Sequence, residues 1–137
     1  MATTHSVQSN DRLLRNTLLA NSIFSTVSGV AFIVAAGQIA AFLGLSADAA
    51  IIIALIGVGL LAFAAGVYWI GSRDTIDINL ATGILIGDVI WVAGSIFVLI
   101  ADPFNFSTEG RWATLIIADA VGIFAVLEFV GLRRIRG

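Results

Sequence analysis

The chain has 137 residues, of which 59% are hydrophobic and 12% are charged, and its mean hydropathy is +1.04. A soluble domain carries about 25% charged residues, so this composition predicts a membrane protein with a single domain. The chain has no Cys, and its only His and only Met are His5 and Met1. The apolar segments therefore offer no ligand for a haem or a transition metal, and we expect no cofactor and no metal. The few basic residues are confined to the predicted helix ends, so no nucleic-acid partner is expected.

Four long apolar segments predict an all-α membrane protein, a bundle of four transmembrane helices. Residues 1–11 read as a polar, loosely held N-terminal tail, and residues 134–137 as a basic C-terminal end. The membrane domain, 12–133, divides into helices predicted at about 12–37, 47–71, 75–100 and 111–132. Each is long enough to cross a hydrocarbon core of roughly 30 Å at about 1.5 Å per residue. The first apolar segment is longer still, which predicts either a short amphipathic piece over 39–45 or one long tilted helix.

Residues at the helix ends indicate where the turns lie. Ser46 and Asp74 are predicted N-caps of the second and third helices, with Asp48 and Asp77 in the first turns. Pro103, the only proline, ends the third helix. Because the turn at 72–75 is short, we expect the second and third helices to be adjacent and antiparallel.

The basic residues, all of them Arg, predict the orientation of the chain. Six of the seven fall on the side that holds both termini, and only Arg111 falls on the other. The positive-inside rule therefore predicts that both termini are cytoplasmic. High Ala, Gly and Arg usage without Lys indicates a bacterial inner membrane protein.

Two stretches of the chain match each other. Residues 21–28 read NSIFSTVS and residues 88–95 read DVIWVAGS, so both follow the pattern N/D-x-I-F/W-x-x-x-S. This predicts a tandem repeat of a two-helix hairpin, related by an axis along the membrane normal. The alternative is a chance similarity between apolar helices. In a true repeat, Asn21 and Asp88 would lie at similar depth and face the same centre.

Polar side chains at helical spacing predict an intramembrane cluster. Its predicted members are Asn21, Ser25, Ser28, Asp88, Trp91, Ser95 and Asp119. An ionised Asp at a helix centre costs about 2.5–3.5 kcal/mol, and no Arg lies within the apolar segments to pair with it. A proton shared between Asp88 and Asp119, or contact with water, would meet this cost. Such a cluster is typical of a proton or cation relay; the alternative is a neutral, hydrogen-bonded cluster that fixes the order of the helices.

The remaining candidates lie on helix faces and at helix ends. Glu128 follows Asp119 by nine residues, which places it on the opposite face of the fourth helix. We expect Glu128 to be an inner-interface charge beside Arg133 and Arg134. Phe24 and Trp91 are expected to pack in the core or to line a site for a small hydrophobic or cationic ligand. Small residues four apart predict close helix packing at Ala62 and Gly66, at Gly83 and Gly87, and at Ala118 and Gly122.

These features predict a structural or accessory membrane subunit, or a self-associating bundle, without catalytic chemistry. Its partners would be the lipid bilayer and either further copies of itself, as a homo-oligomer, or other subunits of a membrane complex. The alternative is a small oligomeric transporter or channel that uses the intramembrane Asn/Asp cluster for proton or cation coupling. An enzyme is not expected, because no nucleophile and base are paired, although a lipid- or quinone-linked activity stays open.

Overall fold

The computed structural model describes the backbone of residues 2–136 and the side chains of residues 11–135. Within this range the chain forms five helices: α1 (Ala2–Val34), α2 (Ala36–Phe42), α3 (Ala49–Gly71), α4 (Ile78–Ala101) and α5 (Thr108–Arg136). All except α2 are long and apolar enough to cross a membrane, and the apolar part of α1 begins at Asp11. The prediction of an all-helical chain with four potential membrane spans is confirmed.

The four long helices run up and down, and α1 is the central one. It packs along α3 and along α5, and α5 packs along α4, whereas α3 and α4 contact each other only weakly. The expectation that the second and third long helices are close neighbours is therefore wrong, although their turn is short. The turn is held by α1 instead: the Arg15 guanidinium donates to the carbonyl oxygens of Gly71 (2.8 Å), Arg73 and Asp74 (3.0 Å).

Two of the helix starts differ from the prediction. Helix α3 begins at Ala49, after an Asp48 side chain that makes no capping hydrogen bond, and Ser46 contributes only its carbonyl oxygen. Helix α4 begins at Ile78, where the Asp77 carboxylate accepts from two backbone N–H groups, at 2.9 and 3.2 Å. Ser46 and Asp74 are therefore not the caps. Asp77 satisfies two free N–H groups at once, while the Arg15 contacts occupy the carbonyls just before it.

The other helix ends differ in length. Helix α1 already begins at Ala2, so the polar tail is a helical extension rather than a loosely held segment. The long first segment bends at Ala35 and continues as the short α2, two residues earlier than the break predicted at 37. Helix α5 begins at Thr108 and continues to Arg136. For the first apolar segment, the structure thus shows a break followed by the short helix α2, and not one long helix.

Helices α1 and α3 cross at a contact between two glycines. A Cβ atom built on Gly29 would lie 2.9 Å from the Gly57 carbonyl oxygen, and one built on Gly57 would lie 2.8 Å from the Gly29 carbonyl oxygen. Even the methyl group of an alanine would not fit at either position without a shift, because the two backbones touch directly. The small residue Ser25 precedes Gly29 by four positions, a pattern that favours such crossings.

The predicted helix-packing residues lie partly elsewhere. Ala118 is buried, and a Cβ on Gly122 would just reach Val92 of α4 at 4.0 Å. A Cβ atom built on Gly87 would lie 3.3 Å from the ring of Phe63 of α3. Ala62 and Gly83 are exposed, and a Cβ on Gly66 or Gly83 would meet nothing within 4 Å. Within the chain only Ala118 and Gly87 of these residues are closely packed, and the pair on α3 is not.

An apolar cluster closes each end of the bundle. At the end that carries Arg15, the buried members are Leu14, Leu18, Val67, Ile70, Ile76, Ala81 and Leu132. At the end that carries Arg111, Ala36 and Ala40 of α2 pack on Ile53 of α3. The backbone N–H of Ser107 donates to the Leu43 carbonyl at 2.8 Å and ties the last loop to α2. The polar residues of the interior lie between these two clusters.

Candidate functional site

A single amide side chain joins three helices in the interior. Asn21 of α1 is only 2% exposed, and its Nδ2 donates to Asp88 Oδ2 of α4 at 2.8 Å and to Glu128 Oε2 of α5 at 2.9 Å. One turn further along α1, the Ser25 hydroxyl donates to Asn21 Oδ1 at 3.2 Å. We refer to Asn21, Ser25, Asp88 and Glu128 as the carboxyl–amide cluster.

The cluster contains two carboxyl groups and no cation among the described side chains. Arg15 is held at the turn before α4, and Arg111 donates to the Leu99 carbonyl and pairs with Asp102 at 3.2 Å. Glu128 Oε1 is buried and accepts no hydrogen bond from the described residues. A buried acceptor without a donor is costly. The cluster is therefore short of donors, which a proton, a water molecule or a polar ligand would supply.

A cavity of about 290 Å³ adjoins the cluster. Its polar wall consists of Asn21, Ser25, Ser28 and Asp88, and its aromatic wall of Phe24, Phe32, Phe63 and Trp91. Residues from all four long helices contribute to the lining. The indole N–H of Trp91 is buried and makes no hydrogen bond to the described residues. The cavity therefore combines a carboxyl group, several small polar groups and four aromatic side chains in its lining.

The structure brings together some of the predicted cluster and separates the rest. Asn21, Ser25 and Asp88 are joined by hydrogen bonds, while Ser28 and Trp91 line the cavity. The Ser95 hydroxyl donates to the Trp91 carbonyl of its own helix at 2.8 Å and does not reach the cavity lining. Asp119 is exposed on the outer surface of α5. The carboxyl group that approaches Asp88 is that of Glu128, not that of Asp119.

Glu128 therefore differs from its predicted place at the membrane interface. Its exposure is 0%, and it contacts the Asn21 amide rather than Arg133 or Arg134; Arg133 lies over the Phe129 ring, 5.8 Å from the ring centroid. The face of α5 that carries Glu128 also carries most of its small and buried residues: Ala118, Val121, Ala125, Gly131 and Leu132. Small residues favour helix–helix contact in membranes. This pattern was the signal that could have placed Glu128 inside.

No protein-family model, no curated protein and no solved structure matches this chain. The geometry of the site therefore carries the functional argument.

Proposed function

We propose that this chain is a small carrier in the bacterial inner membrane that binds a hydrophobic organic cation in exchange for a proton. The single observation behind the proposal is the position of Asp88, which belongs both to the carboxyl–amide cluster and to the cavity wall. A group bound in the cavity would therefore contact a carboxyl that is coupled to a second carboxyl behind it. The distribution of Arg residues supports an orientation with both termini in the cytoplasm.

The exchange rests on the charge of the two carboxyl groups. Asp88 and Glu128 approach the same amide nitrogen, at 2.8 and 2.9 Å, and two nearby carboxylates repel each other strongly where water is excluded. In the empty carrier the pair therefore holds one proton and one negative charge. A monovalent cation that enters the cavity replaces the proton, which leaves both carboxylates ionised beside the bound charge. The net charge of the site is unchanged, because the cation that binds and the proton that leaves each carry one positive charge.

The rest of the lining favours an organic cation over a hydrated metal ion. Phe24, Phe32, Phe63 and Trp91 present aromatic surfaces, which attract cations through the ring quadrupole and remove apolar surface from water. The volume of about 290 Å³ lies near the lower end of the range for small-ligand sites, roughly 300–1,000 Å³. A small quaternary ammonium compound with an aromatic group combines these properties.

The closed ends of the bundle support a carrier rather than an open channel. The apolar clusters around Leu18 and Ile53 lie between the cavity and either end. The weak contact between α3 and α4 is the least packed side of the cavity. Entry between these two helices would admit a compound that dissolves in the bilayer.

A structural or accessory subunit is the second candidate, and one observation favours it. Asn21 links three helices through hydrogen bonds, and Glu128 is fully buried. With both carboxyl groups protonated, a cluster of this kind would be neutral and would fix the order of the helices without binding anything. The duplicated hairpin remains a prediction; it is supported by the hydrogen bond between Asn21 and Asp88, and by the close packing of α1 on α3 and of α4 on α5.

Calorimetric titration of the purified protein with phenyltrimethylammonium separates the two candidates. We expect wild type to bind this cation and Asp88→Asn to bind it at least about tenfold more weakly, which corresponds to roughly 1.4 kcal/mol. Asp119→Asn is the matched control, because it neutralises a carboxyl on the outer face of α5. The uncharged isostere tert-butylbenzene should bind wild type and Asp88→Asn with the same affinity. Absence of binding to wild type, or equal affinity for Asp88→Asn, would leave the structural candidate.

A further inference from the structure

Helix α5 carries a polar residue on a surface that none of the described residues covers. Trp112, Asp119, Val126 and Arg133 recur at seven-residue intervals and are all exposed. Asp119 lies seven residues, about 10 Å, from Trp112 and fourteen residues, about 21 Å, from Arg133 along the helix. That position is inside the hydrocarbon region if α5 spans the membrane. The side chain of Asp119 makes no hydrogen bond or ion pair with the side chains described, 11–135.

We propose that this stripe is the contact with a second copy of the chain, and that the two Asp119 carboxyl groups meet in the interface. Residues seven apart form the seam of parallel helices that wrap around each other, and a polar residue at one such position sets their register. Ile116 and Ile123, exposed one turn to either side of Asp119, supply apolar packing. Glu128 lies on the opposite face, so the seam and the cavity do not compete for the same side of α5.

The chemistry of Asp119 favours a second copy as the occupant. All copies insert with the same orientation, so a neighbouring copy brings its own Asp119 to the same depth. The contact is then isologous, and each residue near its two-fold axis faces its own equivalent. Two carboxyl groups that share a proton form a hydrogen bond shielded from lipid. Every Arg of the chain lies near the end of a potential membrane span, so a second copy offers no cation at this depth.

Cysteine cross-linking in reconstituted bilayers tests the interface, because the chain has no native Cys. Val126→Cys places a thiol on the seam and keeps Asp119. Ile90→Cys on α4 is the matched control, since Ile90 and Val126 are similarly exposed, 65% and 62%. We expect mild oxidation to produce covalent dimers of Val126→Cys and few of Ile90→Cys. Equal yields from the two variants would overturn the proposal.

The contribution of Asp119 is measured by adding a second substitution to Val126→Cys. Asp119→Leu should lower the dimer association constant by roughly threefold to twentyfold, the range of interhelical hydrogen bonds in membranes. Asp119→Asn should retain most of the association, because an amide also donates and accepts. Unchanged association in Asp119→Leu, or a monomeric wild type at every protein-to-lipid ratio, would overturn the proposal. A monomeric wild type would point instead to a different partner with a basic residue at this depth.

Discussion

Replacing Asn21 with leucine should lower the free energy of unfolding by about 2–4 kcal/mol, because two buried carboxyl groups lose their donor. The Asn21 amide donates to both Asp88 and Glu128, and it holds α1, α4 and α5 together. Single interhelical hydrogen bonds in membranes average about 0.6 kcal/mol. The larger expected effect comes from the unsatisfied oxygens that remain, which cost more than the bonds themselves. The measurement compares the free energies of unfolding of wild type and Asn21→Leu in detergent, with heat or denaturant as the perturbation.

Two further variants separate the loss of the donor from a change in packing. Ser22→Ala is the control: Ser22 adjoins Asn21 and is 4% exposed, but its hydroxyl donates only to Leu19 of its own helix. Ser22→Ala should lower the free energy of unfolding by less than about 1 kcal/mol. Adding Asp88→Asn to Asn21→Leu removes one charge and provides a new amide near Glu128, so we expect it to recover about half of the lost stability. Failure of this rescue, together with a large effect in Ser22→Ala, would mean that packing and not hydrogen bonding holds the cluster.

Gly57→Ala should destabilise the protein by about 1–3 kcal/mol, the usual cost of overpacking. The added Cβ would lie 2.8 Å from the Gly29 carbonyl oxygen, and backbone atoms cannot rotate away as a side chain can. The helices α1 and α3 would have to separate at their crossing, beside the cavity. We therefore expect Gly57→Ala to weaken ligand binding as well as stability, and a larger side chain such as leucine to prevent the fold.

Gly59→Ala is the matched control for stability on the same helix; it is not a control for ligand binding, because Gly59 lines the cavity. A Cβ at Gly59 meets nothing within 4 Å, and alanine favours a helix over glycine by about 1 kcal/mol. Its unfolding midpoint should therefore equal or exceed that of wild type. Equal unfolding midpoints for Gly57→Ala and Gly59→Ala would show that α1 and α3 do not cross at the contact between Gly29 and Gly57.

The spans could be predicted from the sequence because length and hydropathy determine them, but the helix starts depended on competition between caps. Asp74, Asp77 and Ser46 are all acceptable N-cap residues. At the turn before α4, the Asp74 carbonyl accepts from Arg15, a residue more than fifty positions earlier, and Asp77 caps the helix. No local pattern contains that contact. The close relation of Asn21 to Asp88 was accessible because the same motif surrounds both residues.

Whether Asp119 or Glu128 faces the interior could not be predicted from helical spacing alone. Their spacing of nine residues placed them on opposite faces, but it did not say which face was inside. Position along the helix favours Asp119 as the interior residue, since Glu128 lies close to the Arg residues at the end of α5. Burial follows the face with the small residues instead, because Ala118 and Ala125 let α5 approach its neighbours. The cavity arises from the weak packing of α3 on α4, which a short turn alone would not predict.

The exchange of a proton for a cation is tested most directly by counting protons. Purified protein in weakly buffered detergent near neutral pH would be titrated with phenyltrimethylammonium while proton release and heat are recorded together. Asp88→Asn combined with Glu128→Gln provides the reference, because amides keep the shape of both side chains but hold no exchangeable charge. The carrier proposal predicts about one proton released per cation bound to wild type, and none from the double variant or with tert-butylbenzene. Cation binding to wild type without proton release, or equal release from the double variant, would contradict it.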